Sequence, residues 1–232
     1  EEAHAVLAHQ QLGRRQLAVE QQVAAALPAL VAFIQGGDGV RSAQRGLGRL
    51  RALSGQPFIG PDIGGFASNG DAKLFSRWMG FGAMLPFARG HTGKENINKE
   101  PWAFDEHTTA TCREALKRRY RLLPYYYTIF REASVTGLPV ARPAFFADPT
   151  DQALRSEDDI FLIGADLLVK ASVVPDGTRV PVMPKGAWRE IEKSDNPDLP
   201  GLFVRAGAIL PSGPDIQFAD EKPLDPLTLI IN

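Results

Sequence analysis

Asp62, Arg89 and His91 are the residues whose types and positions are best suited to chemistry. Each follows a short apolar run: residues 57–60 lead to Asp62, and residues 83–87 lead to Arg89 and His91. In a sheet built of βα units, side chains at the point where a strand gives way to its loop face a common cleft. A carboxylate that accepts from two hydroxyls, with a guanidinium and an imidazole that donate to others, suits a polyhydroxylated ligand. Phe66 and Trp78 could offer apolar faces to a ring in such a ligand. Plainer readings stand beside these. Asp62 could close an Asx-turn ahead of Gly64-Gly65. Arg89 could be a buried ion-pair partner, His91 a structural or surface histidine, and Trp78 a core residue on a helix.

Other chemistries find little support. Gly64-Gly65 lacks both Gly-x-Gly-x-x-Gly and a following Lys-Ser/Thr, so no phosphate cradle is expected. There is no Cys/His cluster with metal-ligand spacing and no Gly-x-Ser-x-Gly, and neither a metal nor a cofactor is expected. The run Lys117-Arg118-Arg119 with Arg121 is expected to form the solvated face of a helix rather than a nucleic-acid patch. The formal net charge of -1 gives no basic field for nucleic acid or an anionic membrane. The longest apolar stretch, residues 23–34, contains Pro28 and is too short to cross a bilayer. Cys112 is the only cysteine, which rules out an internal disulfide and leans towards a reducing compartment. With no signal peptide visible, a cytoplasmic location is expected.

The elements that would position these residues fall into three textures. In residues 1–52, Leu12, Val19, Val23, Leu27, Leu30 and Ile34 recur at helical spacing, up to the Gly36-Gly37 stop. Residues 53–138 read as strand–loop–helix twice over. Asn69-Gly70-Asp71 starts one helix, and Asp105 caps a long one over residues 106–134. The apolar line of the long helix is Cys112, Leu116, Tyr120, Leu123, Tyr127 and Phe130. Pro124 should kink it, and Gly137 with Pro139 should end it. Residues 139–232 hold short β-rich runs at 160–163, 167–174, 179–183, 202–204, 208–210 and 227–231, the pattern of an antiparallel sandwich. The fold class is therefore α/β plus β. A whole (β/α)8 barrel takes about 250 residues, so an incomplete barrel followed by a β-sandwich is expected.

Several stretches resemble glycoside hydrolase family 31, the α-glucosidase family. They are Gly55-Gln56-Pro57-Phe58-Ile59-Gly60-Pro61-Asp62-Ile63-Gly64-Gly65-Phe66, Arg77-Trp78, Pro86-Phe87-Ala88-Arg89-Gly90-His91 and Glu100-Pro101-Trp102. Arg118-Arg119-Tyr120-Arg121-Leu122-Leu123-Pro124-Tyr125-Tyr126-Tyr127, Pro139-Val140-Ala141-Arg142-Pro143 and Gly164-Ala165-Asp166-Leu167-Leu168-Val169 continue the series in the family's order. The wording is most similar to plant heteroglycan-type and neutral α-glucosidases. The resemblance implies a TIM-type barrel whose last strands and helices are present here, and a hydrolase of carbohydrate metabolism acting on an α-glucoside or glucan. It implies that Asp62 and Phe66 line the subsite of the terminal glucose, and that Arg89 and His91 contact its hydroxyls or position the catalytic carboxylates.

The pattern also breaks. Family members use two aspartates in a retaining double displacement, which needs a nucleophile and an acid/base close together. The nucleophile's Trp-x-Asp-Met-x-Glu stretch does not occur here. The acid/base belongs to a Gly-Asp-Asn segment upstream of Asp62, and the corresponding window, residues 26–35, contains no acid. Asp38 is the one displaced candidate, but it sits too near Asp62 and lacks the following Asn. No catalytic residue is otherwise identified. An abrupt edge near residue 53 suggests a mis-joined exon, a shifted frame or a truncated duplicate. The expectation is a fragment of a retaining α-glucoside hydrolase, inactive by itself. The alternatives are a non-catalytic carbohydrate- or partner-binding remnant and a non-functional translation product.

Overall fold

The computed structural model describes residues 55–66, 69–171 and 180–232. The helix expected from Leu12 to Ile34, and Asp38 with it, lie outside the described residues.

Two strands of two residues each, β1 (Asp62–Ile63) and β2 (Arg89–Gly90), pair in parallel with Asp62 opposite Arg89 and Ile63 opposite Gly90. Between them runs α1 (Ala72–Gly82). Its start is the expected one: Asp71 accepts from the Leu74 N–H at 2.7 Å. From Phe75 to Gly82 every residue of α1 is buried. Such a helix belongs inside a core rather than at a surface. The apolar runs at 57–60 and 83–87 are not strands. Residues 83–87 turn instead, with Met84 N–H donating to Phe81 O and Leu85 N–H to Gly82 O.

Asp105 caps α2 (Glu106–Arg121), accepting from Thr108 N–H at 2.7 Å. The expected kink is a full break. Leu122 (φ -85°, ψ 0°) separates α2 from α3 (Leu123–Thr136), and Pro124 falls in the first turn of α3. There its missing N–H costs nothing, because first-turn N–H groups have no helical partner. The buried face differs from the expected line. Thr108, Thr111, Cys112, Ala115, Arg118, Leu122, Tyr125, Tyr126, Ile129 and Ala133 are buried, whereas Leu116 is 39% and Tyr127 81% exposed. Small residues let α2 lie close to α1, with Ser76 Oγ bonded to Thr108 Oγ1 at 3.1 Å. The tyrosine hydroxyls find buried acceptors, Ile163 O for Tyr125 (2.8 Å) and Met84 O for Tyr126 (2.6 Å).

The remaining strands are β3 (Ala141–Pro143), β4 (Ile160–Ile163), β5 (Leu167–Lys170), β6 (Trp188–Ile191), β7 (Gly201–Arg205), β8 (Ile209–Ser212) and β9 (Thr228–Ile231). Five form one antiparallel sheet in the order β3-β4-β5-β7-β6, and β8 pairs with β9. Alternation along the sheet separates two cores. Ile163, Leu167, Val169, Leu202 and Val204 join α1–α3 in the larger one, whereas Ile160, Leu162 and Leu168 pack with Ala144 and Leu154 in the smaller. The strand expected at 179–183 is absent from its described part, residues 180–183; there Val182 N–H bonds the Glu157 carboxylate at 2.7 Å instead of a neighbouring strand. The run expected at 167–174 ends as a strand at Lys170, and part of it lies outside the described residues. Among the described residues no helix is long and apolar enough to cross a membrane.

Candidate active-site wall

The parallel pairing of β1 and β2 sets Asp62 beside Arg89. Asp62 Oδ1 receives Arg89 Nε at 2.9 Å and Nη2 at 2.5 Å. Both bonds fall on one carboxylate oxygen, which leaves Oδ2 as an acceptor. The pair is partly open to solvent, with Arg89 half-exposed and Asp62 one-fifth exposed. The strands approach closely just before this point. Phe87 N–H donates to Ile59 O at 3.1 Å, and a side chain at Gly60 would place its Cβ 1.8 Å from Phe87 O. Only glycine admits that contact.

Phe66 and His91 follow from the same two strands, and their rings lie 5.3 Å apart, tilted by 36°. Phe66 is 54% exposed, a large apolar face presented to solvent next to the His91 ring. All four residues singled out from the sequence, Asp62, Phe66, Arg89 and His91, therefore come together at the ends of β1 and β2. Trp78 does not join them; it is buried in α1, 5% exposed.

A set of polar residues not foreseen from the sequence ties the two loops together. Asn96 Nδ2 donates to Phe66 O at 2.8 Å, and Gly93 N–H does so at 2.8 Å. Asn69 Oδ1 accepts from Ile97 N–H at 2.9 Å, and Lys99 Nζ reaches Gly65 O at 2.7 Å. Burial lowers the Lys99 ammonium below its ordinary value. The Asn- and Lys-rich stretch at residues 94–99 was the available signal, since Asn side chains commonly bond loop backbone.

In the cationic run of α2 Lys117 is exposed, but the arginines are not a solvated face. Arg118 is buried and donates to Pro200 O at 3.0 Å and Glu192 O at 2.5 Å. Arg119 donates to Ala83 O, Leu85 O and Pro86 O at 2.5–2.8 Å, and Arg121 pairs with Glu192 and Asp215. These arginines satisfy backbone carbonyls and carboxylates between the helices and the β-region, a use to which the planar guanidinium fork is suited. Nearby, Arg77 and His107 hold buried Asp198 at 2.8 and 2.9 Å. Burial acts to raise that carboxyl, but the bonds from Arg77 and His107 outweigh it and keep it below 3.8.

Residues 38–129 match the glycosyl hydrolases family 31 TIM-barrel domain, and residues 137–210 match the family 31 C-terminal domain. The two matches together cover most of the chain. The chain belongs to glycoside hydrolase family 31. The barrel match begins at residue 38, ahead of the edge expected near residue 53. A probable glucan 1,3-alpha-glucosidase of Arabidopsis thaliana is 38% identical over 195 residues, 77% of this chain and 21% of the relative. The chain thus spans about a fifth of the length of the curated relatives it matches. A family 31 alpha-glucosidase of Bacteroides thetaiotaomicron has a similar structure, with a TM-score of 0.74 and 47% identity over 84% of this chain and 32% of that one. A family 31 dextranase of Flavobacterium johnsoniae, solved in complex with glucose, gives a TM-score of 0.69 at 29% identity, covering 78% of this chain and 25% of its own. The family 31 fold here is an incomplete barrel followed by the C-terminal β-domain.

Proposed function

We propose that Asp62, Phe66, Arg89 and His91 form one wall of the subsite that receives the terminal glucose in a retaining α-glucoside hydrolase. The observation that carries this reading is the Asp62–Arg89 pair. Arg89 engages a single carboxylate oxygen and leaves the other for sugar hydroxyls, beside the open face of Phe66. His91 and the outer edge of Arg89 supply donors, and a carboxylate with a charged donor beside it makes strong, directional bonds to hydroxyls. The α-glucosidase names among the relatives and the glucose in the dextranase complex support the same substrate class.

The wall binds and orients; it does not cleave. Retaining hydrolysis forms a covalent glycosyl intermediate on one carboxylate while a second carboxyl protonates the leaving oxygen. Asp62 is committed to Arg89, and a single hydroxyl-binding carboxylate stabilises ground state and transition state alike. General acid help alone is worth about 10²–10⁴-fold. The purified chain is expected to show no turnover of maltose or an aryl α-glucoside above an Asp62→Ala control. Glucose should bind at millimolar strength, about 4 kcal/mol, and Asp62→Ala should abolish the shifts that it causes at the amides of Phe66, Arg89 and His91 in an NMR titration. Turnover with anomeric retention would overturn the reading, and Asp38 would be the first residue to substitute. Shifts at those amides unaffected by Asp62→Ala would equally sink it.

A further inference from the structure

Beside β5, β7 and β6 of the five-stranded sheet opens a hollow with a volume of about 270 Å³. Strand register creates it. Lys170 of β5 lies opposite Gly201 of β7, and Glu190 of β6 lies opposite Phe203 of β7. Residues two apart on a strand share a face, so Gly201, Phe203, Lys170 and Glu190 address the same side. Gly201 contributes no side chain there. A Cβ at that position would stand 2.9 Å from the Phe203 ring and 3.5 Å from Glu190 Oε1. The glycine thus admits the Phe203 ring, which lines the hollow with the Lys170 ammonium and the Glu190 carboxylate beside it. Ser194 and Arg118 also line it.

Arg118, in the same lining, is held by Pro200 O and Glu192 O. Its side chain is 2% exposed, and its Nε is buried without a hydrogen bond. The nearest carboxylate oxygens, on Glu114 and Glu192, are 3.7 and 3.8 Å away. The charges around the hollow balance: Lys170 and Arg118 against Glu190 and Glu192. Neither an anion nor a cation would gain from entering. A neutral molecule rich in hydroxyls would, since it can accept from the Lys170 ammonium, donate to the carboxylates and lay an apolar ring face on Phe203. The volume falls just under the lower end of ligand sites, about 300 Å³, so it fits the end of a chain rather than a whole oligosaccharide.

We propose that this hollow is a non-catalytic site for the end of a neutral oligosaccharide, built by Gly201, Phe203, Lys170 and Glu190 on the C-terminal β-domain. It stands apart from the Asp62 wall and does not depend on that wall's function. The test is a titration of the ¹⁵N-labelled full chain with maltotriose. Saturable shifts are expected at the amides of Glu190, Ser194 and Phe203, and they should persist in Asp62→Ala, which removes only the other site. The Lys170→Ala/Glu190→Ala double variant should bind about tenfold more weakly at these amides. Both side chains are exposed, and an unchanged melting midpoint would show that the fold is intact; each single variant gives the same reading if the double variant unfolds. No shift at these amides, or shifts indifferent to the double substitution, would overturn the proposal. So would inorganic phosphate binding there while maltotriose does not.

Discussion

Asp62–Arg89 and Asp198–Arg77 are the same chemical pair in opposite surroundings. Each joins a carboxylate to a guanidinium Nε at 2.8–2.9 Å. Asp198 and Arg77 are 6% and 8% exposed, whereas Asp62 and Arg89 are 20% and 51% exposed. The buried pair also binds His107 and closes the packing of α1 and α2 against the loop ahead of β7. The open pair has a spare oxygen and a solvent-facing guanidinium. Burial, not residue type, separates a structural ion pair from one that can meet a ligand, because a desolvated charge must be fully partnered in the fold itself.

The largest expected effect tests that contrast directly. Asp198→Ala removes the carboxylate that the buried Arg77 guanidinium and His107 bind, and should lower unfolding free energy by about 3–5 kcal/mol, read from urea denaturation. A loss below 1 kcal/mol would show that the buried pair is no more structural than the open one. The same carboxyl sets a pH dependence. Its folded value lies below 3.8. Its contribution is therefore complete above that ordinary value and is lost as pH falls through the lower folded value. The stability gap between wild type and Asp198→Asn should hold steady from pH 7 to pH 5 and shrink below pH 3.8. A gap that instead shrank on raising the pH would assign the effect to another group.

Tyr126→Phe should cost about 1–2 kcal/mol, since it leaves the buried Met84 carbonyl without its hydroxyl donor. A thermal melt reads this as a drop of a few degrees; no drop would mean that water replaces the hydroxyl. Asp62→Ala should be the smallest, under about 1 kcal/mol, because Arg89 keeps its solvent. If Asp62→Ala destabilised as much as Asp198→Ala, the open pair would be structural and its place in a glucose subsite would fall.

What could be read from the sequence was local. The caps at Asp71 and Asp105 and the break near Pro124 depend on a few adjacent residues, and the structure has them. The buried face of α2 and α3 was misassigned because it is chosen by distant partners: Ile163 and Met84 carbonyls for the tyrosines, Pro200 and Glu192 carbonyls for Arg118. β3 and β6 went unseen for a related reason. They are the two edges of the sheet, where a proline-flanked Ala-Arg-Pro or a charged Trp-Arg-Glu-Ile is tolerated and the apolar signal is weak. Asp62, Arg89 and His91 were picked out by their position after apolar runs, though those runs are not strands, and Phe66 as an apolar face for a ring. It was the family resemblance that favoured a ligand role over the bland readings. The inter-loop bonds of Asn96 and Lys99 had no signal beyond loop composition.

Arg119 has a consequence of another kind. Its guanidinium gathers the carbonyl oxygens of Ala83, Leu85 and Pro86, as a metal ion gathers carbonyls in a chelate loop. This cation is tethered to the chain, so its effective concentration at the loop is set by α2 and not by the solution. Chelators cannot strip it, and dilution cannot empty the cage. The turn that delivers Arg89 to its strand is thus held by an ion that the protein cannot lose without unfolding.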